Sequence, residues 1–101
     1  MEDDTRVASV ARALAHPARV RIVELLAAET ECRGADVFSE LPLAQSTISE
    51  HLRILKDAGL ITSRPVGTGM VYCLVPGAFD DLIKTVSRIA NAQCVTDGKE
   101  S

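Results

Sequence analysis

The spacing of apolar residues changes along this chain, and that change restricts the fold more than any other feature. Up to residue 58 the apolar residues recur three and four positions apart, which is typical of helices that bury one face. Residues 60–64 and 70–75 are instead rich in residues that favour strands, and a turn-forming stretch, 65–69, separates them. Helical spacing returns over residues 78–93. The sequence therefore predicts a mainly α (α+β) chain with one β-hairpin before its last helix.

Prolines, glycines and capping residues set the predicted helix bounds. We predict five helices, over residues 4–14, 17–28, 35–41, 45–58 and 78–93. Pro17 is favourable at the first position of the second helix. Thr47 with Glu50 matches a capping box at the start of the fourth helix, where Ser46 is an alternative cap. Gly59 suits the left-handed position that closes this helix.

Two short helices joined by a tight turn and followed by a hairpin are typical of a helix-turn-helix with a wing. We therefore predict a winged helix-turn-helix domain over residues 1–94, with a flexible tail over 95–101. In this fold the N-terminal end of the second helix of the pair enters the major groove of DNA. The corresponding helix here is the fourth.

Polar side chains cluster at the start and on the outer face of the fourth helix. Gln can bond adenine edges, Ser and Thr can bond bases or phosphates, and cationic side chains can reach either. On the wing, an arginine and the hairpin tip can approach the DNA backbone. The candidate DNA-binding residues are Gln45, Ser46, Thr47, Ser49, His51, Arg53, Lys56, Arg64 and Thr68. Helix capping and plain solvated surface stay open as alternative roles for these residue types.

The formal net charge of −3 is unusual for a nucleic-acid-binding protein, which is commonly basic. The acidity is unevenly distributed. Residues 1–42 hold eight acidic and five basic side chains, whereas residues 43–75 hold two acidic and three basic ones. The helix-turn-helix half is thus slightly basic. The overall acidity, together with Glu50 on the outer face, leaves open an alternative in which the winged helix binds a protein.

Several classes of protein are excluded by what the sequence lacks. No run of 18 apolar residues is present, so we predict no membrane span, and the acidic N-terminus is unlike a signal peptide. We therefore expect a cytoplasmic protein. The sequence contains no Gly-rich phosphate loop, no nucleophile elbow and no paired carboxylates in a predicted cleft. We predict no enzymatic activity, and no cofactor is required by the sequence.

Three segments resemble the ArsR/SmtB family of metalloregulatory repressors. Residues 13–23 (ALAHPARVRIV) are similar to the family's opening signature, residues 43–61 (LAQSTISEHLRILKDAGLI) to its recognition-helix signature, and residues 69–74 (GMVYCL) to its second wing strand. The segments occur in the family's order, and the resemblance covers about residues 5–92. It implies a homodimeric repressor that an inducer releases from double-stranded operator DNA. The first and last helices would form the dimer interface.

Apolar stripes on the first and last helices agree with that implied interface. They are more apolar than a domain of about 100 residues needs for its own core. The alternative is that they pack onto the core of the same chain. The predicted interface residues are Val7, Val10, Leu14, Phe79, Leu82, Ile83, Val86 and Ile89.

The inducer site departs from the family's pattern. The family's arsenic and lead sensors carry two cysteines close together at the third helix, whereas this chain has only Cys32 there. The last helix offers Asp80 and Asp81 but no histidine, so a zinc site of the family's type is not expected. Cys32 and Cys94 are the candidate ligands for arsenite or another thiophilic ion. Regulation by thiol oxidation and regulation without a small-molecule signal both stay open.

The remaining cysteine and the first histidine are given structural roles. Three cysteines at wide spacing predict no disulfide framework. Cys73, on a strand with apolar neighbours, is interpreted as a small apolar filler. His16 precedes Pro17 and is interpreted as a capping or packing residue, not as a ligand.

Overall fold

The computed structural model describes residues 2–28 and 36–92. Within these ranges the predicted order of helices and hairpin is confirmed. Cys32, Cys94 and the predicted tail lie outside the described residues. The described helices are all too short or too polar to cross a membrane. The secondary structure consists of α1 (Glu2–Ala13), α2 (Pro17–Ala27), α3 (Asp36–Ser39), α4 (Gln45–Asp57), β1 (Ile61–Val66), β2 (Gly69–Leu74) and α5 (Asp80–Ala90).

The last helix begins two residues later than its spacing predicts. The amide of Ala78 donates to the carbonyl of Val75, and the amide of Asp80 donates to that of Gly77, both at 3.1 Å. Gly77 has a φ of 77°, a backbone conformation that residues other than glycine rarely adopt. These turns join the hairpin to α5 and occupy the first positions of the predicted helix.

The core lies where α2, α4 and the hairpin meet. Ile22, Ile48 and Leu55 are completely buried, and each such side chain contributes about 1.5–3 kcal/mol of hydrophobic stabilisation. The predicted apolar stripe of α4 is therefore confirmed as its inward face. The buried apolar residues are Val10, Ala13, Ile22, Leu25, Leu26, Val37, Leu41, Ile48, Leu52, Leu55, Leu60 and Ile61.

A glycine turn connects α4 directly to the hairpin. Gly59 has a φ of 80°, and its amide donates to the carbonyl of Lys56 at 2.9 Å. The amide of Leu60 donates to the carbonyl of Leu55 at 3.0 Å, which completes the usual glycine C-terminal cap. The predicted role of Gly59 is confirmed. The carbonyl of Leu60 in turn accepts from Val75 at 3.0 Å, so the base of the hairpin is fixed to the end of α4.

The hairpin has longer strands and a shorter turn than predicted. Pro65 pairs with Met70 and Val66 with Gly69, which leaves only Gly67 and Thr68 in the loop. Proline has no amide donor, and it is tolerated here because β2 is the only strand that pairs with β1 among the described residues. The other edge of β1 therefore needs no amide donor. The stretch predicted as a five-residue turn is therefore mostly paired strand.

The first and last helices pack against each other within the chain. Arg6 Nη2 on α1 lies 2.9 Å from Asp81 Oδ2 on α5. Val10, predicted at the dimer interface, is only 9% exposed because it belongs to the chain's own core. That prediction is corrected, since its side chain is already covered in one protomer. Leu14, Phe79 and Leu82 are partly buried against the same core.

Three predicted interface residues remain uncovered on α5. Ile83, Val86 and Ile89 are 58%, 51% and 67% exposed, and no residue of α5 is fully buried. They lie on one face of the helix because they are three residues apart. Val7, on α1, is partly buried.

Candidate nucleic-acid interface

Helix α4 has two chemically different faces. Its inward face carries the apolar stripe, and its N-terminal end and outer face carry polar side chains. All six of the following predicted DNA-binding residues of α4 are exposed: Gln45, Ser46, Thr47, Ser49, Arg53 and Lys56. On the hairpin, Arg64 and Thr68 are exposed as well. The structure thus places eight of the nine predicted residues where a ligand can reach them.

The ninth predicted residue, His51, is the exception. Its side chain is buried, with a relative exposure of 7%, and faces α2 instead of solvent. Its ring lies 4.4 Å from that of His16, and Nη1 of Arg19 lies 3.2 Å from its Nδ1. Because a guanidinium has only donors, Nδ1 of His51 is the acceptor. His51 is therefore corrected from a DNA-contacting residue to one that holds α4 against α2.

Burial makes His51 a neutral side chain. Its pKa is lowered first by burial and then by electrostatic interactions with His16 and Arg19, and the carboxylate of Glu50 opposes this shift. Arg19 also donates from Nε to the carbonyl of Ala13 at 2.6 Å. One guanidinium thus links the end of α1 to α4, and this link fixes the position of the helix whose outer face is polar.

The predicted cap of α2 is confirmed, whereas that of α4 is wrong. His16 Nδ1 accepts from the amide of Ala18 at 3.0 Å, which is the capping role inferred for it. Helix α4 begins instead after Ala44, which has an extended backbone, and no side chain caps it. The capping-box prediction for Thr47 fails because the helix begins at Gln45, which places Thr47 inside its first turn, and Glu50 bonds Arg53 instead.

Two carboxylates hold Arg53 on the outer face of α4. Its Nε donates to Glu50 Oε1 at 3.1 Å, its Nη2 donates to Glu50 Oε2, and its Nη1 donates to Asp57 Oδ2 at 2.8 Å. The hydrogen bond from Arg53 lowers the pKa of Glu50, and the same pair raises the pKa of Arg53. Glu50 and Arg53 therefore remain charged at neutral pH.

The hairpin tip and the start of α4 border one cleft. Gln45, Ser49, Thr68 and Tyr72 line this space of about 410 Å³. The structure therefore brings residues from the helix and the tip of the hairpin, which are separated in sequence, onto one surface.

A second, smaller cleft of about 180 Å³ lies further along α4. Ser49, Arg53 and Lys56 line it from the helix, and Ser63 and Tyr72 from the hairpin. Arg64 borders neither cleft.

Tyr72 is a site residue that sequence reasoning missed. It lines both clefts, is partly buried and pairs with Ser63 across the hairpin. The sequence contained a signal for this residue, because Tyr72 is the chain's single tyrosine and lies on a predicted wing strand. A tyrosine combines an apolar ring with a hydroxyl at its end, which suits a position between a core and a polar ligand.

The described residues contain no group of three or more His, Cys, Asp and Glu side chains placed to hold a metal ion. Of the candidate ligands, Cys32 and Cys94 lie outside the described ranges. Asp81 is engaged by Arg6. Cys73 is disulfide-bonded, so its interpretation as a simple apolar filler is wrong.

Comparison with known proteins gives a consistent result. Residues 16–63 match the model of the bacterial regulatory protein, arsR family. An uncharacterized HTH-type transcriptional regulator of Methanocaldococcus jannaschii is 35% identical over 89 residues, which are 88% of this chain and 100% of that protein. The arsenical resistance operon repressor of Staphylococcus aureus is 28% identical over 97 residues, covering 94% of this chain and 92% of that protein.

Among solved structures, the homodimeric winged helix-turn-helix DNA-binding domain of a possible ArsR-family regulator from Mycobacterium bovis is similar in fold. The TM-score is 0.66 at 30% identity, and the match covers 86% of this chain and 80% of that one. The segment matched to the family model runs from the cap of α2 through α4 into β1, and so contains the helix-turn-helix. The chain belongs to the arsR family of bacterial regulatory proteins and is a DNA-binding transcriptional repressor, not an enzyme.

Proposed function

We propose that this repressor acts in the cytoplasm as a homodimer on double-stranded operator DNA. Each protomer places the start of α4 in a major groove and its hairpin against the adjacent backbone. The observation that carries this proposal is the single cleft bordered by the exposed start of α4 and by the hairpin tip. Such a surface can offer donors to base edges and to phosphates at the same time.

The exposed residues divide by chemistry into two groups. Gln45 and Ser49 are exposed near the start of α4, and their side chains are of the types that read base edges. Lys56, Arg64 and Thr68 are suited to phosphates, which fix the register of the protein on the duplex. Ser46 and Thr47 can serve either purpose. The basic side chains in one protomer are few, so a dimer that doubles the phosphate contacts would bind much more tightly.

The uncovered face of α5 supports the homodimer. Ile83, Val86 and Ile89 form an exposed apolar stripe, and burial of such a stripe against a second copy removes it from water. The Mycobacterium bovis domain of similar fold is homodimeric. The partly buried Val7, Leu14, Phe79 and Leu82 would complete the rim of the interface.

Arsenite or another thiophilic ion is the inducer that we propose, with Cys32 and Cys94 as its ligands in the fully reduced protein. The arsenical resistance operon repressor of Staphylococcus aureus, which aligns along most of this chain, supports this choice. Thiol oxidation is the alternative signal, and the disulfide at Cys73 favours it. In either case deprotonated thiolates are the reactive species.

The DNA-binding arrangement is tested by band-shift and fluorescence-anisotropy assays with the DNA upstream of the protein's own gene. Ser49→Ala and Arg53→Ala are expected to weaken binding several-fold, because each removes a donor from the outer face of α4. Lys84→Ala is the matched control, since Lys84 is exposed on the face of α5 opposite the apolar stripe. Equal affinity of Ser49→Ala, Arg53→Ala and the unaltered protein would contradict the assignment of α4.

The inducer is tested on the same complex by titration with arsenite, cadmium, zinc and a mild oxidant. We expect arsenite or cadmium to release the DNA, and Cys32→Ser and Cys94→Ser to abolish the release. Metal-induced release that survives both substitutions would exclude the proposed thiol site. Release by the oxidant alone would support the redox alternative.

A further inference from the structure

The outer face of α4 carries an unusual charge arrangement for a surface that contacts DNA. Arg53 is its central cation, and the carboxylates of Glu50 and Asp57 engage three of the five N–H donors of its guanidinium. The three side chains together carry one net negative charge. This arrangement follows the exposed start of the helix, and Lys56 directly precedes its last member, Asp57.

Helix stabilisation alone does not explain this arrangement. Ion pairs three or four residues apart on an exposed helix contribute little to its stability. The side chains of Glu50, Arg53 and Asp57 are 55%, 57% and 64% exposed, so water screens their attraction strongly. These side chains are therefore accessible to a ligand, and they can change conformation at little cost in free energy.

Glu50 restricts what can lie against this part of the helix. A phosphate placed there would meet a carboxylate, and two anions in contact repel. A base edge that offers a donor is accepted instead, and the N4 amino group of cytosine is the donor that glutamate commonly takes in a major groove. The two N–H donors of Arg53 not engaged by carboxylates suit O6 and N7 of guanine.

We propose that Glu50 is a specificity-determining residue, which with Arg53 reads a cytosine beside a guanine in each half-site. Glu50 accepts from cytosine N4 and at the same time orients Arg53 toward the guanine. This inference rests on the proposed placement of α4 in the major groove. Because the pair is electrically neutral by itself, it contributes discrimination between sequences more than general affinity for DNA.

The test begins with selection of bound sequences from a random double-stranded DNA library by the full-length protein. The selected half-site is expected to contain a cytosine whose change to thymine weakens binding by about 5- to 150-fold, since thymine presents an acceptor there. Glu50→Ala should reduce this loss to less than about threefold, and Glu50→Gln should shift the preference toward adenine.

Asp57→Asn is the matched control, because it removes the same charge from the other side of Arg53 while it leaves Glu50 in place. It should retain the cytosine preference. Thermal unfolding of each variant checks that the fold is intact, which the exposure of these residues leads us to expect.

Three results would overturn the inference. If the unaltered protein selects a defined site but Glu50→Ala and Glu50→Gln keep the same base preference, Glu50 does not read a base, and the proposed function stands. If both Glu50→Gln and Asp57→Asn raise affinity for all sequences equally, the carboxylates act only by repulsion. Selection of no sequence at all by the unaltered protein would instead reject the proposed function and this inference together.

Discussion

His51 shows how a single buried side chain can make stability depend on pH. Its neighbours from other parts of the chain, His16 and Arg19, disfavour a positive charge on its ring, whereas Glu50 on its own helix favours one. A proton on its ring would remove the acceptor that Arg19 uses and would add a buried charge. The folded protein therefore binds this proton less readily than the unfolded chain.

We expect the free energy of unfolding to fall as the pH drops below about 6.5, the ordinary pKa of histidine. The sign follows because the pKa is lowered in the folded state, so the unfolded chain takes up the proton first. His51→Gln, which keeps an acceptor for Arg19 but does not titrate, should flatten this dependence. Urea unfolding at a series of pH values measures it, and an unchanged slope in His51→Gln would show that another group is responsible.

The periodicity of α4 already placed position 51 on the inward face, together with Ile48, Leu52 and Leu55. The polar identity of His51 led to the opposite interpretation. Sequence patterns report which face a residue occupies, whereas the partner that makes a buried histidine acceptable, here Arg19, comes from a helix 32 residues away in the chain. That partner could not be inferred from local spacing.

Secondary-structure signals were informative where their cause is local. Gly59 was predictable as a cap because its left-handed backbone depends on its own residue type. The start of α4 was not, because the helix begins at Gln45 after Ala44 without a side-chain cap, and such a start has no residue-type signal. The hairpin turn was placed too broadly, since the pairing of Pro65 depends on the facing strand.

Replacement of Gly59 by another residue is expected to lower the free energy of unfolding. Gly59→Ala should lower the free energy of unfolding by about 1–2 kcal/mol, because alanine is disfavoured at positive φ. The space around it is open, so strain in the backbone and not a clash is the cause. Denaturant unfolding provides the measurement. Gly69→Ala, where φ is not positive, should stay within about 0.5 kcal/mol, and an equal loss in both variants would refute this account.

In the proposed homodimer, the exposed stripe on α5 would link oligomeric state to DNA binding. Ile83→Glu or Ile89→Glu would place a charge in the proposed interface, where it has no partner and is costly to bury. We expect these variants to sediment with the 10.8 kDa mass of one chain, whereas the unaltered protein should have twice that mass.

When these substitutions prevent dimerisation, operator affinity should fall at least about tenfold, which corresponds to about 1.4 kcal/mol of binding free energy. Lys84→Glu, which adds the same negative side chain to the opposite face of α5, is the control and should remain dimeric. Analytical ultracentrifugation and anisotropy on the same samples give both quantities. A dimer that persists in Ile83→Glu and Ile89→Glu would place the interface elsewhere.

The uneven distribution of charge along the chain also affects how strongly the protein is attracted to DNA of any sequence. The acidic residues concentrate in the first 42 positions, whereas the helix-turn-helix and hairpin are slightly basic. A mildly acidic body limits non-specific attraction to DNA, which depends on neutralised phosphates. In the proposed complex the remaining affinity would come largely from base contacts of α4, which suits a repressor that has to distinguish one site among many.

The two faces of α4 affect how this protein can change over evolutionary time. The inward face is fixed by packing, through Ile48, Leu52, Leu55 and the contact of His51 with Arg19. The outer face consists of exposed residues, and substitutions at such positions usually change stability by less than about 0.5 kcal/mol. Mutations there can therefore redirect the repressor to a new operator without loss of folding, so that descendants of a duplicated gene can acquire separate target genes while they keep one scaffold.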